Sequence, residues 1–321
     1  MYTSRHQYSL LGVIFVLLAL APWLIQGSYP QFVLCTAVIN AMAVLGLNFI
    51  FGLTGQLHLG MAGFMAIAAY TVGLLTTKAQ FTFWQSIPPA VLITGLSSLF
   101  LGIPTLRLKR YYLAIMTIGF SEVVRYVLQN WMSFTGGVWG VTGIPRPAWG
   151  SQLLFDNLLF FYLTLGVLAA LAILASIIES SKYGRAFKAV HDDELAVEAM
   201  GVNSTQVKVL AFFLCAAYAG IGGGFFAAFH GYISPEIFTT TYSFTFICML
   251  VVGGLGTIPG SILGAVLLTL LMEALRFLGE WYLVVYAALL IVIIVYSPRG
   301  LMGLMDRVLL RRHPDKPPVG T

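Results

Sequence analysis

Apolar residues recur along this chain in runs of membrane-spanning length. A helix crossing the hydrocarbon of a bilayer needs about 20 mainly apolar residues. Ten runs approach that length, at about 10–26, 32–51, 57–77, 84–103, 111–130, 157–178, 206–230, 242–253, 260–278 and 281–296. The eighth is too short to cross as a regular helix, which rises about 1.5 Å per residue. No polar stretch between residues 10 and 296 is long enough to form a soluble domain. The pattern therefore predicts an all-α polytopic membrane protein of about ten transmembrane helices, one domain over residues 1–321, with a tail from about 298 to 321. The first run follows a short polar start holding Arg5 and is closed by Pro22, Trp23 and Leu24 instead of small residues. It is expected to be a retained helix, not a cleaved signal peptide.

Composition sharpens this picture and charge orients it. Of 321 residues 59% are apolar and 9% charged, against about 25% charged in a soluble domain. Cytoplasmic loops carry the excess of Lys and Arg. With the N-terminus inside, that side receives Arg5, then Arg107, Lys109 and Arg110, then Lys182, Arg185, Lys188 and Lys208, then Arg299, Arg307, Arg311, Arg312 and Lys316. Only Lys78 and Arg146 fall outside, while Arg125 and Arg276 lie within runs. Ten crossings with both termini cytoplasmic account for this asymmetry. The net charge of +5 is thus a signal of topology, and no nucleic-acid partner is expected. Cys35, Cys215 and Cys248 stand singly in apolar segments, without the spacing of a disulfide framework or a zinc site, and read as packing or lipid-facing residues.

Several runs are punctuated by glycine and proline. Gly52, Gly55 and Gly60 precede or open the third, Gly222–Gly224 interrupt the seventh, and Gly253, Gly254, Gly256, Pro259, Gly260 and Gly264 join the eighth to the ninth. Irregular backbone at membrane depth survives where it is buried in protein or lines a wet cavity, and broken helices point to a transport site. Gly55, Gln56, His58, Gly60, Gly253 and Gly256 are accordingly candidate pathway residues. The competing reading is that small residues let helices approach closely. It is favoured for any glycine taken singly, and the pathway reading for the dense clusters.

Two charge pairs lie in the runs, Glu122 with Arg125 and Glu273 with Arg276, each three residues apart and so able to meet on one helix face. Intramembrane charges mark function by default. Here each carboxylate has a cation in reach and both pairs fall near helix ends, which favours a structural role. His58 and His230 lack neighbours with metal-ligand spacing, so no metal site is expected.

The longest polar segment between runs is about 180–208, rich in helix formers, with Gly201 as a stop and Asn203 and Ser204 as a fresh helix start. It is expected to form one short cytoplasmic helix. Phe187, Val190 and Val197 approach one face, and Arg185, Lys188, Asp192, Asp193 and Glu198 spread elsewhere. Such a helix suits docking onto another protein, or else serves as a solvated connector.

Other function classes fit poorly. An ion-coupled secondary transporter wants an unpaired carboxylate or a proton relay near the midplane, and the only acids within runs are the two paired glutamates. No GxSxG, HExxH or Walker A run occurs. The chain is therefore not expected to be an enzyme, and any ATP hydrolysis would belong to another subunit.

Several ordered motifs resemble the LivM-type permease subunits of branched-chain amino acid ABC importers. They are residues 52–57 with Leu59 and Gly60, residues 69–71, residues 107–115 followed by 119–125, Thr135-Gly136-Gly137 with residues 142–145, residues 183–201, and residues 253–260. In order they cover roughly residues 50 to 300. The resemblance implies a bacterial inner-membrane importer in which a periplasmic binding protein delivers the solute and a LivH-type permease pairs with this chain. Two cytoplasmic ATPases, carrying ATP and Mg, would drive alternating access, and no cofactor is bound by this chain. Residues 185–201 are similar to the coupling loop that ABC importers seat on an ATPase, although Gly201 follows Met200 directly. That similarity marks Arg185, Asp193, Glu194, Glu198 and Gly201 as coupling residues. Permeases for urea, short amides or another small organic solute are similar too.

Overall fold

Small residues set the architecture, because they decide which apolar helices can lie backbone to backbone. The computed structural model describes residues 4–24, 27–105, 110–149, 152–153, 156–296 and 300–303. The basic loop with Arg107 and Lys109, Arg299, and the tail beyond residue 303 lie outside the described residues.

The first half holds α1 (Ser4–Leu24), α2 (Ser28–Leu47), α3 (Met61–Thr77), α4 (Phe83–Thr105), α5 (Arg110–Asn130) and the single turn α6 (Met132–Thr135). After the two-residue strands β1 (Val141–Thr142), β2 (Ala148–Trp149) and β3 (Gln152–Leu153) come α7 (Asn157–Ser180), α8 (Lys182–Asp192), α9 (Glu194–Ala199) and α10 (Ser204–His230). Strand β4 (Tyr232–Ile233) leads to α11 (Thr240–Gly253), α12 (Ile258–Ala274) and α13 (Tyr282–Tyr296). Helix thus dominates, as expected for a polytopic membrane protein. Among the described residues four helices are long and apolar enough to cross a bilayer, within 28–53, 83–102, 157–180 and 204–230, while those at 9–23, 61–77, 240–253 and 258–274 are apolar but shorter. At 14 residues α11 spans about 21 Å, short of the roughly 30 Å hydrocarbon core.

Helix α10 is the axis of the bundle, packed on α2, α3 and α4, and α2 in turn packs on α7 and α12. Here the expected interruption at Gly222–Gly224 is corrected: α10 runs unbroken through all three glycines. Successive helical residues point about 100° apart, so the three face three different neighbours. A Cβ on Gly222 would touch Ile39 and Ala43 of α2, one on Gly223 would stand 2.5 Å from the Met65 carbonyl oxygen of α3, and one on Gly224 would stand 2.6 Å from Ile87 of α4. The close-packing role of small residues holds at this cluster.

The two ends of α10 carry different accessories. At its start sit α8 and α9. At its end, about 40 Å away for 27 residues, β4 pairs antiparallel with β1, Val141 opposite Ile233.

Candidate functional site

Two helix breaks meet inside the bundle. Below α2 the chain makes a π-helical turn over Asn48–Leu53 and then unwinds until α3 begins at Met61. The turn is closed by Gln56 N–H on the Ile50 carbonyl at 3.0 Å and by the Thr54 hydroxyl on the same oxygen at 2.6 Å. Gly55 follows with φ +68°, a left-handed conformation that glycine adopts without strain. The second break separates α11 from α12, with Gly254 at φ +122°, Gly256 at φ +73° and Pro259 in the first turn of α12. The Asn48 side-chain oxygen accepts a 2.9 Å hydrogen bond from Gly256 N–H. Gly52 is where the breaks touch, since a Cβ there would stand 1.9 Å from Asn48 Oδ1 and 2.6 Å from Gly256 N.

The unwound stretch is held by its neighbours. Leu59 N–H donates to Thr117 Oγ1 of α5 at 3.0 Å, and Ala62 N–H to Ser243 Oγ of α11 at 2.9 Å. His58 is fully buried, stacked on Phe64 at 5.2 Å and edge-on to Phe212 at 5.4 Å. Both its ring nitrogens, Gln56 Oε1 and Ser121 Oγ are buried without a hydrogen-bond partner. Buried polar groups are nearly always paired, so this concentration of unpaired atoms separates the break from ordinary core. Gly60 admits the approach of α5: a Cβ on it would stand 2.8 Å from the Thr117 carbonyl oxygen.

Residues 180–208 form two helices instead of the expected one. Asp193 breaks the segment with extended backbone (φ −155°, ψ 107°), and its carboxylate caps α9 by accepting from Leu195 N and Ala196 N at 2.9 and 3.1 Å. In a run of three acids, the one free to cap is not distinguishable by composition. Gly201, at φ +80°, ends the pair, and Asn203 caps α10 through Gln206 N at 3.1 Å. Phe187, Val190 and Val197 are buried, and Phe187 meets Phe49 at 6.4 Å, edge to face. Arg185 reaches the Ser180 carbonyl at 3.3 Å. Glu194 pairs with Lys208, and Glu198 accepts from the Ser204 hydroxyl. Both acids are therefore tied to the start of α10, and the exposed tip of the pair carries two large apolar side chains, Leu195 77% and Met200 84% accessible, beside the exposed carboxylates of Asp192 and Asp193.

The charge pairs stand away from the breaks' junction. Arg125 lies 2.7 Å from Glu122, which also accepts from Thr240 Oγ1 at 2.5 Å, and 3.8 Å from Glu236, which accepts from Gln129 at 2.5 Å. This network fastens α5 to the segment entering α11. Arg276 lies 3.5 Å from Glu273, and the Tyr29 hydroxyl donates to Glu273 and accepts from Arg276 at 2.9 Å. Asn48, Thr117, Ser121 and His191 carry contacts of the break that the sequence did not single out. For Asn48 a signal exists, an amide in an apolar run four residues before Gly52.

Residues 29–294 match the family described as the permease component of branched-chain amino acid transport systems. The chain belongs to that permease family. Among relatives of this family, the high-affinity branched-chain amino acid transport permease LivM of Salmonella typhimurium is 36% identical over 281 residues, 80% of this chain and 66% of that protein. LivH of the same organism is 32% identical over 210 residues, 62% of this chain and 66% of that protein. The autoinducer 2 import permease LsrC of Yersinia pseudotuberculosis is 28% identical over 260 residues, 77% of this chain and 71% of that protein. The chain thus spans a little under two-thirds of the length of the LivM and LivH permeases it matches. No solved structure matches it significantly.

Proposed function

We propose that this chain is a non-enzymatic transmembrane subunit of an ATP-driven importer that moves branched-chain amino acids across a bacterial inner membrane. The observation that carries this is family membership over residues 29–294. The interlocked breaks at Gly52 and Gly256 support it, since a solute path needs irregular backbone inside the bilayer. The unpaired ring nitrogens of His58 stand beside Phe64 and Phe212, and Phe64 packs in turn on Phe120, which suits a solute with a polar head and an apolar side chain. Similarity to both LivM and LivH fits pairing with a second, related permease. Two cytoplasmic ATPases and a periplasmic binding protein complete the assembly, with ATP and Mg held by the ATPases.

Within that assembly Gly55, Gln56, His58, Gly60, Gly253 and Gly256 line the pathway. The pair α8–α9 docks on an ATPase, Asp193 and Gly201 setting its shape and Arg185, Glu194 and Glu198 holding it to its surroundings. Deleting the gene should abolish cellular accumulation of leucine, isoleucine and valine while leaving urea uptake unchanged. Loss of urea or short-amide uptake with leucine uptake intact would instead establish the second reading, a family member for another small solute, which the similarity to LsrC keeps in view.

Ten crossings with both termini cytoplasmic complete the proposal, and the basic residues Lys182, Arg185, Lys188 and Lys208 support a cytoplasmic position for residues 180–208. A cysteine introduced at Met200, exposed in this chain alone, should react with an impermeant maleimide only in inside-out vesicles stripped of the ATPase. Reaction in intact cells would overturn the topology.

A further inference from the structure

The π-helical turn Asn48–Leu53 is held in two ways. From the side of α8, Phe187 is fully buried against Phe49. One turn later on the same helix face, the His191 ring lies against Gly55: a Cβ built there would stand 3.1 Å from its Cε1, Cγ and Nδ1. Phe49 and Gly55 bracket the turn, so α8 grips it at both ends. The second hold is Asn48, only 3% exposed, which accepts from Gly256 N–H at 2.9 Å. At Gly52 the two breaks lie backbone to backbone, since a Cβ there would stand 2.6 Å from Gly256 N. Single π-turns inserted at the end of an α-helix are uncommon and cluster at functional sites.

We propose that this turn is the transmission element of the permease, and that His191 and Asn48 are its positioning residues. A displacement of α8 enters the turn through Phe187 and His191 and leaves it through Asn48 to Gly256, so that the break below α2 and the break between α11 and α12 move as one. The proposal rests on the reading of the chain as an ATP-driven permease, because the ATPase is what displaces α8. It adds the route by which that displacement reaches the pathway. His191 is otherwise solvent-exposed. Removing an exposed side chain ordinarily leaves a fold standing, so a purely structural role predicts no effect of its loss.

The test uses the full complex of this chain with its permease and ATPase partners in proteoliposomes, supplied with leucine-loaded periplasmic binding protein, read as leucine imported per ATP hydrolysed. His191→Ala should assemble normally, by size-exclusion profile, yet lower that ratio about five- to tenfold, within the range by which residues along a coupling route act. His191→Phe restores a planar ring against Gly55 and should recover most of the ratio. Asn48→Leu removes the acceptor for Gly256 N–H and should lower the ratio as His191→Ala does. A wild-type ratio in His191→Ala would overturn the inference and leave the proposed function standing. So would an equal loss in His191→Ala and His191→Phe, because ring packing would then not be the cause. Absence of ATP-dependent uptake by the wild-type complex would overturn both.

Discussion

Uptake is expected to fall about a hundredfold or more when Leu195 and Met200 are both replaced by Asp. These are the most exposed large apolar side chains of the pair α8–α9, and they stand at the end of the bundle to which the basic residues assign the cytoplasm. Covering a Leu or Met side chain at an interface contributes roughly 1.5–3 kcal/mol, and a carboxylate in the same place must be desolvated without a partner. Docking of an ATPase on this tip would lose both contributions at once. The acids Glu194 and Glu198 make a poorer test of the same contact. Glu194 pairs with Lys208 and Glu198 with Ser204, so reversing their charge also loosens the hold of α9 on α10. The double Asp variant should leave the membrane subunits associated while the ATPase no longer co-purifies. Co-purification at wild-type yield would show that the ATPase docks elsewhere.

The second large effect is expected at Gly52. An added Cβ would overlap Asn48 Oδ1 at 1.9 Å and press on Gly256 N at 2.6 Å. Overpacking of this kind costs typically 1–3 kcal/mol, and displacing the Asn48 amide leaves the Gly256 N–H without its acceptor at a further cost of about 1–3 kcal/mol. Gly52→Val should therefore abolish uptake and lower the thermal unfolding temperature of the detergent-solubilised complex. Gly52→Ala should do so less severely. Gly166→Ala is the matching control, because nothing lies within 4 Å of a Cβ there, and it should behave as wild type. Equal behaviour of the Gly52 and Gly166 variants would mean that the two breaks do not touch in the working protein.

Why some of this is legible in the sequence and some is not follows from the range of the forces involved. Local features read directly: apolar runs predict helices, Gly201 and Asn203 mark a stop and a start, and the glycines at 52–60 and 253–260 fall where α2 and α11 end. The interruption expected at Gly222–Gly224 did not occur, because a glycine is permissive and only its neighbours decide whether it bends or packs. Here α2, α3 and α4 each supply a backbone or side chain against one of the three. The break at Asp193 was hidden because capping and solvated acids look alike in composition. Asn48 escaped notice because its partner Gly256 is 208 residues away, and His191 because its role is a contact with a glycine that has no side chain to advertise it. The short strands β1 and β4 are likewise products of tertiary approach, with Gly140 leaving room for the Ile233 carbonyl.

The most direct measurement is leucine uptake by proteoliposomes that contain this chain with the proposed partner permease, two ATPases and periplasmic binding protein. ATP on the ATPase side should drive accumulation of leucine against its gradient, and omission of ATP, of the binding protein or of this chain should each reduce accumulation to the level of empty liposomes. Accumulation that persists without ATP, or that fails for leucine while succeeding for urea, would contradict the account.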